Sequence, residues 1–188
     1  MSIQITFDLS DKDLDHFREI IGKTRDAASH LKPAQIIDAT AGLLQKVEEA
    51  EAPEFILERL RVLECLKDMV TDAEWNLSDE EKHRVLNALM YFSEPDDIIP
   101  DHVPGLGFLD DAIMVELVAR ELEPEIEAYK EFCSFRSSEE ARRQSRGDDA
   151  EVTREEWLKD KRAVLHSRMR RRRAGSAGKG GWRIISLG

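Results

Sequence analysis

The chain has 188 residues, 41% hydrophobic, 6% aromatic and 36% charged, which is enough for one domain with a sizeable core, and its apolar content comes mostly from Leu, Ile, Val and Ala, a mixture that favours helices over sheets. The N-terminal residues MSIQITFDLSDKD lack the basic and apolar regions of a secretory leader, and no uncharged apolar window of about 18 residues occurs, so a cytoplasmic protein without a membrane span is expected. The net charge of -11 hides a polarity: residues 159–183 hold ten basic residues and one acid, Asp160, for a net +9, which leaves -20 on the remainder.

Residues 3–9 alternate Ile3, Ile5, Phe7 and Leu9 with polar residues, the period of a half-buried strand. Ser10 followed by Asp13 resembles a capping box, and Leu14, Phe17, Ile20, Ile21, Ala28 and Leu31 follow at helical spacing, predicting a helix over 11–31. Pro33 suits a first helical turn, and Ile36, Ile37, Ala41, Leu44 and Val47 form the next stripe before the acidic run 48–51. Pro53 opens a third helix with Ile56, Leu60, Leu63, Met69 and Val70 inward. A second capping box at Ser78 and Glu81 starts a fourth, over 79–92, with Val85, Leu86, Leu89 and Met90 inward.

Residues 95–111, PDDIIPDHVPGLGFLDD, then place five aspartates, three prolines and two glycines in seventeen positions. Glu94, Ile99 and Val103 each precede a proline and are driven toward extended conformations, so the stretch is a stiff corner. Gly105 and Gly107 permit positive backbone torsions. Ile98, Ile99, Val103, Leu106 and Leu109 are expected to plug the corner into the core. Asp110 and Asp111 fall at the first turn of a fifth helix, where they can accept backbone amides and complement the dipole. Its predicted inner face is Leu109, Ile113, Leu117 and Val118, with Met114 beside it, and Pro124 is expected to kink or split it near Glu123. Residues 137–152 read as a polar linker with partial helical character. Thr153 and Glu156 form a further capping box for a helix carrying Trp157, Val164, Leu165 and Met169. AGSAGKGG reads as flexible, and the terminal WRIISLG is strand-like.

A structural role explains most of the corner. The competing reading gathers Asp97, Asp101, Asp110 and Asp111, with His102, as a hard-cation or acid-base cluster in a metal-dependent hydrolase. That spacing lacks the order and terminal Glu of an EF-hand loop, and turn and capping roles for aspartates outweigh the metal reading.

The run Pro95, Asp97, Ile98, Ile99, Pro100, Asp101, Val103, Pro104, Leu106, Gly107, Leu109, Asp110 and Asp111 resembles the signature of the YkvA-like family, a bacterial domain of unknown function whose core reads approximately P-x-D-L-I-P-D-x-I-P-x-L-G-x-L-D-D. The resemblance spans about residues 85–122. It implies a helical hairpin and carries no activity over to individual residues. Many relatives are more apolar through the flanking helices and some look membrane-associated; this sequence departs from them at Asp96, His102, Glu116, Arg120 and Glu121, which weighs against a membrane role.

The remaining motifs are weaker. Cys65 and Cys133 are 68 positions apart with no CxxC, so neither a disulfide framework nor a zinc module is indicated. His16, His30, His83, His102 and His166 form no recognisable catalytic or ligand order, and GSAGKGG lacks the residues of a phosphate loop. The basic tail has a clear physical consequence: Arg168, Arg170, Arg171, Arg172 and Arg173, followed by Lys179, Trp182 and Arg183, could engage phosphates with steep salt dependence, and Trp182 could stack on a base or pack on the body. Equally, the arginines could be a solvated helix end or fold back on the acidic body.

Taken together, the sequence predicts an all-α protein of about five to seven helices. A helical domain spans 1–136 around a hairpin at 79–122, a linker spans 137–152, and a basic helix with its tail spans 153–188. The strand-like segments 3–9 and 182–187 could pair. The expected function is that of a non-catalytic cytoplasmic interaction protein whose basic C-terminal segment contacts RNA, DNA or an acidic protein, with no cofactor; a divalent cation enters only with the hydrolase alternative, and peripheral membrane association is the third.

Overall fold

A computed structural model describes residues 10–28, 30–93, 99, 103, 106–146 and 151–177. They form seven α-helices and one 3-10 turn: α1 (Asp11–Ala28), α2 (Pro33–Glu49), α3 (Glu54–Thr71), α4 (Asp79–Leu89), the 3-10 turn (Met90–Ser93), α5 (Leu109–Glu121), α6 (Glu123–Arg146) and α7 (Glu151–Ala177). The all-helical class is as expected. The strand-like segments 3–9 and 182–187 lie outside the described residues. The chain divides into two compact units, one of residues 1–64 with 83–115, the other of residues 65–82 with 116–188.

Local signals account for most helix boundaries. Before α1, the Ser10 amide donates to the Asp13 carboxylate at 2.9 Å and the Asp13 amide returns to Ser10 Oγ at 3.4 Å. Ser78 and Glu81 repeat the reciprocal pair before α4, at 3.1 and 3.3 Å, so two of the four orphan amides of each N-terminal region find side-chain acceptors. Pro33 is the first residue of α2. Pro124 does split the helix where its ring demands: α5 ends at Glu121, Leu122 is a turn, and α6 restarts at Glu123 with proline in its first turn, where a missing amide costs nothing.

Other boundaries differ from expectation. α1 ends at Ala28 rather than 31, and the fourth helix tightens into the 3-10 turn over Met90–Ser93. α6 runs on to Arg146 through residues read as a linker; α7 begins at Glu151, before the Thr153 box, and continues to Ala177 through the first residues of AGSAGKGG. Strong helix formers, Glu, Ala and Arg, populate these stretches, and their propensity outweighs the low apolar content.

In the first unit, α1 and α2 both pack on the 3-10 turn, whose Met90, Tyr91 and Phe92 are buried with Ile36, Val47, Ile56, Leu60 and Leu63. On α2, Ala41 is exposed and Thr40 is buried instead; its hydroxyl donates to the Ile36 carbonyl at 2.9 Å, satisfying the polar atom within the helix. In the second unit, α6 and α7 pack together. The core there centres on Trp75, fully buried in the α3–α4 loop, with ring centroids of Phe132, Tyr129 and His166 at 5.0, 5.7 and 4.3 Å.

Trp75 is the largest fully buried side chain, and its indole N–H has no hydrogen-bond acceptor among the described residues. Truncation should therefore be costly and a smaller ring tolerated. Trp75→Ala is expected to lower unfolding stability by roughly 3–5 kcal/mol, and Trp75→Phe by clearly less, because ring contacts persist and a buried unsatisfied donor is removed. Urea denaturation followed by helical circular dichroism compares the two; equal losses would contradict the central role of the ring.

Candidate functional site

Three groups of polar residues merit comparison: the corner aspartates, the α7 arginines, and a carboxylate hub in the α3–α4 loop that sequence reasoning missed.

Of the corner, Ile99, Val103 and residues 106–111 are described, whereas Pro95, Asp97, Ile98, Pro100, Asp101, His102 and Pro104 lie outside the described residues. The Val103 carbonyl accepts the amides of Leu106 and Gly107 at 3.2 and 2.8 Å, closing a tight turn. The positive torsion seen here falls on Phe108, at φ 63°, a conformation that costs a non-glycine residue about 1–2 kcal/mol. Phe108 is 3% exposed, and burial of a phenylalanine contributes about 1.5–3 kcal/mol, enough to hold the strain. Phe108 is thus the plug of the corner; Leu106, assigned to that role from the sequence, is 52% exposed, and Ile99, Val103 and Leu109 are half-buried.

Asp110 and Asp111 occupy the first turn of α5 as expected and are buried, at 2% and 5% exposure. Asp110 Oδ2 accepts the Ile99 amide at 3.0 Å, eleven residues back. The carboxylate therefore ties the start of α5 to Ile99 of the corner. The inner face of α5 is also rotated from the expected one: Met114, Val115, Leu117 and Val118 are buried, and Leu109 and Ile113 only half so. Among the described residues no three His, Cys, Asp or Glu side chains gather as a metal site; Asp97 and Asp101, needed for the hydrolase alternative, are not described.

On α7 the arginines meet acids. Arg168 donates to Glu131 at 2.5 Å, Arg172 pairs with Glu127 and approaches Glu123 at 3.9 Å, and Arg173 reaches Glu125 at 3.4 Å. Partner numbers fall along α6 as they rise along α7, so the two helices run antiparallel. Lys161 shares Glu131 with Arg168 at 2.8 Å, and these two cations hold the Glu131 carboxyl below its ordinary value. Arg170 turns to Glu81 of α4 at 3.0 Å, a carboxylate only 2% exposed. Arg171 bonds the Ser167 carbonyl of its own helix at 3.4 Å. Lys179, Trp182 and Arg183 lie outside the described residues. Of the readings open to the sequence, the folded-back one describes this geometry. The arginine groups of 168, 170 and 172 nevertheless keep 48%, 50% and 43% of their side-chain surface in solvent.

The hub is Asp72, which closes α3. Its Oδ1 accepts the amides of Glu74 and Trp75 at 2.9 and 3.1 Å; its Oδ2 accepts the Tyr129 hydroxyl at 3.1 Å and Arg136 at 2.8 Å. Arg136 also donates to Glu74 at 2.9 Å, and Arg162 of α7 donates to the Glu74 carbonyl at 2.6 Å. Burial pushes the Asp72 carboxyl upward, but the Trp75 amide and Arg136 prevail and hold it below the ordinary range. Tyr129 is raised by burial, by neighbouring Cys133 and by the Asp72 charge. Cys133 lies 3.7 Å from Arg136, and both cysteines are free thiols. A short-range signal for this hub did exist: an aspartate just past a helix, two residues before glutamate and three before tryptophan, is an Asx-turn pattern.

Known proteins similar to the chain define its class. A family described as a protein of unknown function, DUF1232, matches residues 82–117, the segment from α4 through the corner into α5. The uncharacterized membrane protein YkvA of Bacillus subtilis (strain 168) is 30% identical over 87 residues, covering 41% of this chain and 82% of that protein. The chain belongs to this YkvA-like family. No solved structure matches it. No helix of the described residues is long and apolar enough to cross a membrane. The matched family segment does not reach α7.

Two outcomes test these assignments. Asp72→Asn should cost about 1–3 kcal/mol at neutral pH, because Arg136 and two loop amides lose their charged acceptor. The Asp72 contribution belongs to a depressed carboxylate, so it is present above the unfolded value of 3.8 and lost as pH falls below it; parent and variant denaturation midpoints should converge as pH falls below that value, and parallel curves would refute the assignment. Asp110→Ala should cost about 1–2 kcal/mol, with Asp110→Asn milder because an acceptor oxygen for Ile99 remains. Calorimetric melting of both variants measures the difference.

Proposed function

We propose that the protein is a non-catalytic binding module that engages nucleic acid through the arginine-bearing half of α7. The observation that carries this reading is the exposure of Arg168, Arg170 and Arg172 while they are ion-paired. A guanidinium has five N–H donors in a planar fork, and each of these groups uses one or two on its carboxylate. About half of each side-chain surface stays in solvent and leaves donors that can meet phosphate oxygens. Surface ion pairs are weak and screened over about 8 Å at physiological salt, so a dense row of phosphates competes with isolated glutamates for the same cations. Lys179, Trp182 and Arg183 extend the basic segment in sequence and would add phosphate contacts and a stacking platform. The binding step needs no cofactor.

The test is a salt titration of full-length chain on a short duplex and a single strand. Parent protein should bind at low salt with a steep loss of affinity as salt rises. Replacing Arg168, Arg171 and Arg172 together by Gln should flatten the log–log slope by about 0.9 for each duplex phosphate no longer neutralised. Absence of binding by the parent at low salt, or an unchanged slope in the variant, removes the reading.

A second reading takes support from the relative in Bacillus subtilis, whose name designates a membrane protein. The same arginines would attract anionic lipid headgroups. Flotation with vesicles containing phosphatidylserine, against neutral vesicles, separates the two: binding to the former without binding to nucleic acid favours the membrane surface.

A further inference from the structure

His166 is a titratable group packed into the centre of the second unit that the binding reading leaves unused. It is 8% exposed and stands edge-on to the fully buried Trp75, ring centroids 4.3 Å apart and planes at 89°. Its ring hydrogen-bonds to the Trp75 backbone, and Nε2 has no hydrogen-bond partner among the described residues. The neutral imidazole fits such a place: one nitrogen is satisfied by the chain and the other need not donate. The imidazolium does not fit, because protonation puts a second N–H donor where no acceptor stands.

The charges around the ring bear on the same point. From α4 comes Glu81, 2% exposed, whose Oε2 caps Ser78 at 2.8 Å and whose Oε1 accepts Arg170 at 3.0 Å. On α7 itself, Arg162 and Arg170 stand one turn before and one turn after His166, and both act on it electrostatically. From α6, the residues that meet the same indole, Tyr129 and Phe132, are uncharged. Protonation would therefore set three cations in line at i, i+4 and i+8 on one helical face, with Glu81 the carboxylate that acts on the ring. Like charges at that spacing repel.

We propose that His166 is a proton-operated clasp: on protonation its Nε2–H is left without an acceptor, the row of three cations repels, and the α7 half that carries Arg168 to Arg173 loosens from Glu81 and α6, freeing the arginines for a polyanion. The loosening stands on the packing of His166 alone; its consequence for binding rests on the function proposed above. The pH window follows from the ring's surroundings. Burial lowers the His166 pKa from its ordinary 6.5, Arg170 and Arg162 lower it further, and Glu81 and the Trp75 backbone oppose them. A base depressed by folding binds more protons when released, so the clasp holds fully above about pH 6.5 and weakens as pH falls below it. Glu81 stays ionised through that window, since Ser78, His166 and Arg170 outweigh the effect of burial and hold it below its ordinary 4.5.

Amide hydrogen exchange on the full-length chain between about pH 7.5 and 5.0, corrected for intrinsic rates, tests the clasp without any polyanion. Parent protein should lose protection over residues 167–175, by up to about tenfold per pH unit below the window. His166→Phe, which keeps an aromatic edge on Trp75 and cannot titrate, should hold its protection flat. Unchanged protection in the parent, or an equal loss in His166→Phe, overturns the proposal. Should that variant fail to fold, the parent decides: the NMR titration midpoint of the His166 ring must lie below 6.5 and coincide with the midpoint of α7 exchange, and a midpoint at or above that value, or two separate midpoints, overturns it. Duplex binding below and above the window, in parent and His166→Phe, then examines the linked step. An intact exchange response with no nucleic-acid binding at either pH defeats the proposed function and leaves the clasp standing; a flat exchange response with salt-dependent binding does the reverse.

Discussion

The burial of Trp75 is the constraint on which the second unit depends. A tryptophan in a loop can be fully enclosed only if the loop backbone on either side is satisfied without water, and Asp72 does this by taking the Glu74 and Trp75 amides on one oxygen. The other oxygen of Asp72 and the Glu74 carbonyl then hold α6 and α7 through Tyr129, Arg136 and Arg162. Apolar burial supplies the driving force, and these hydrogen bonds satisfy the loop amides that the burial takes from water. A single loop of a few residues thus sets where two long, largely polar helices lie.

Charge plays two distinct parts along those helices. Arg136 and Arg173 meet acids that are themselves largely enclosed, Asp72 and Glu125, and removal of either cation would leave a buried carboxylate short of its cation. Arg168 and Arg172 meet exposed glutamates, where solvent and salt weaken the attraction. The first kind positions α6 and α7; the second kind is exchangeable. An arginine row held by exchangeable partners could serve a polyanion, and this is the physical basis of the binding proposed above.

The family signature lies elsewhere, in the other unit's corner and the helices flanking it. There the described residues act mechanically: Val103 closes a turn, Phe108 is held in a left-handed conformation by its own burial, and Asp110 spans eleven residues to secure Ile99. The family model matches residues 82–117, which include this corner.

By itself the sequence determined what depends on residues a few positions apart or on covalent geometry. The caps at Ser10 and Ser78, the start of α2 at Pro33, the break at Pro124, the stripes of α3 and α4 and the corner signature are all of this kind, because propensity, capping and ring sterics act within one or two turns. The i, i+4 series Glu123, Glu127 and Glu131 against Arg168 and Arg172 was also present as a matching period, yet nothing local says that the two series face each other. Only the tertiary structure decided the partners separated by tens of residues: Arg172 with Glu127, 45 positions away, Arg162 with the Glu74 carbonyl, 88 away, and His166 against Trp75. It also decided that Leu106 is exposed while Phe108 is enclosed. Burial of a polar or aromatic group is defined by what packs over it, and that is a property of the assembled helices, which the spacing of residues along any one of them does not contain.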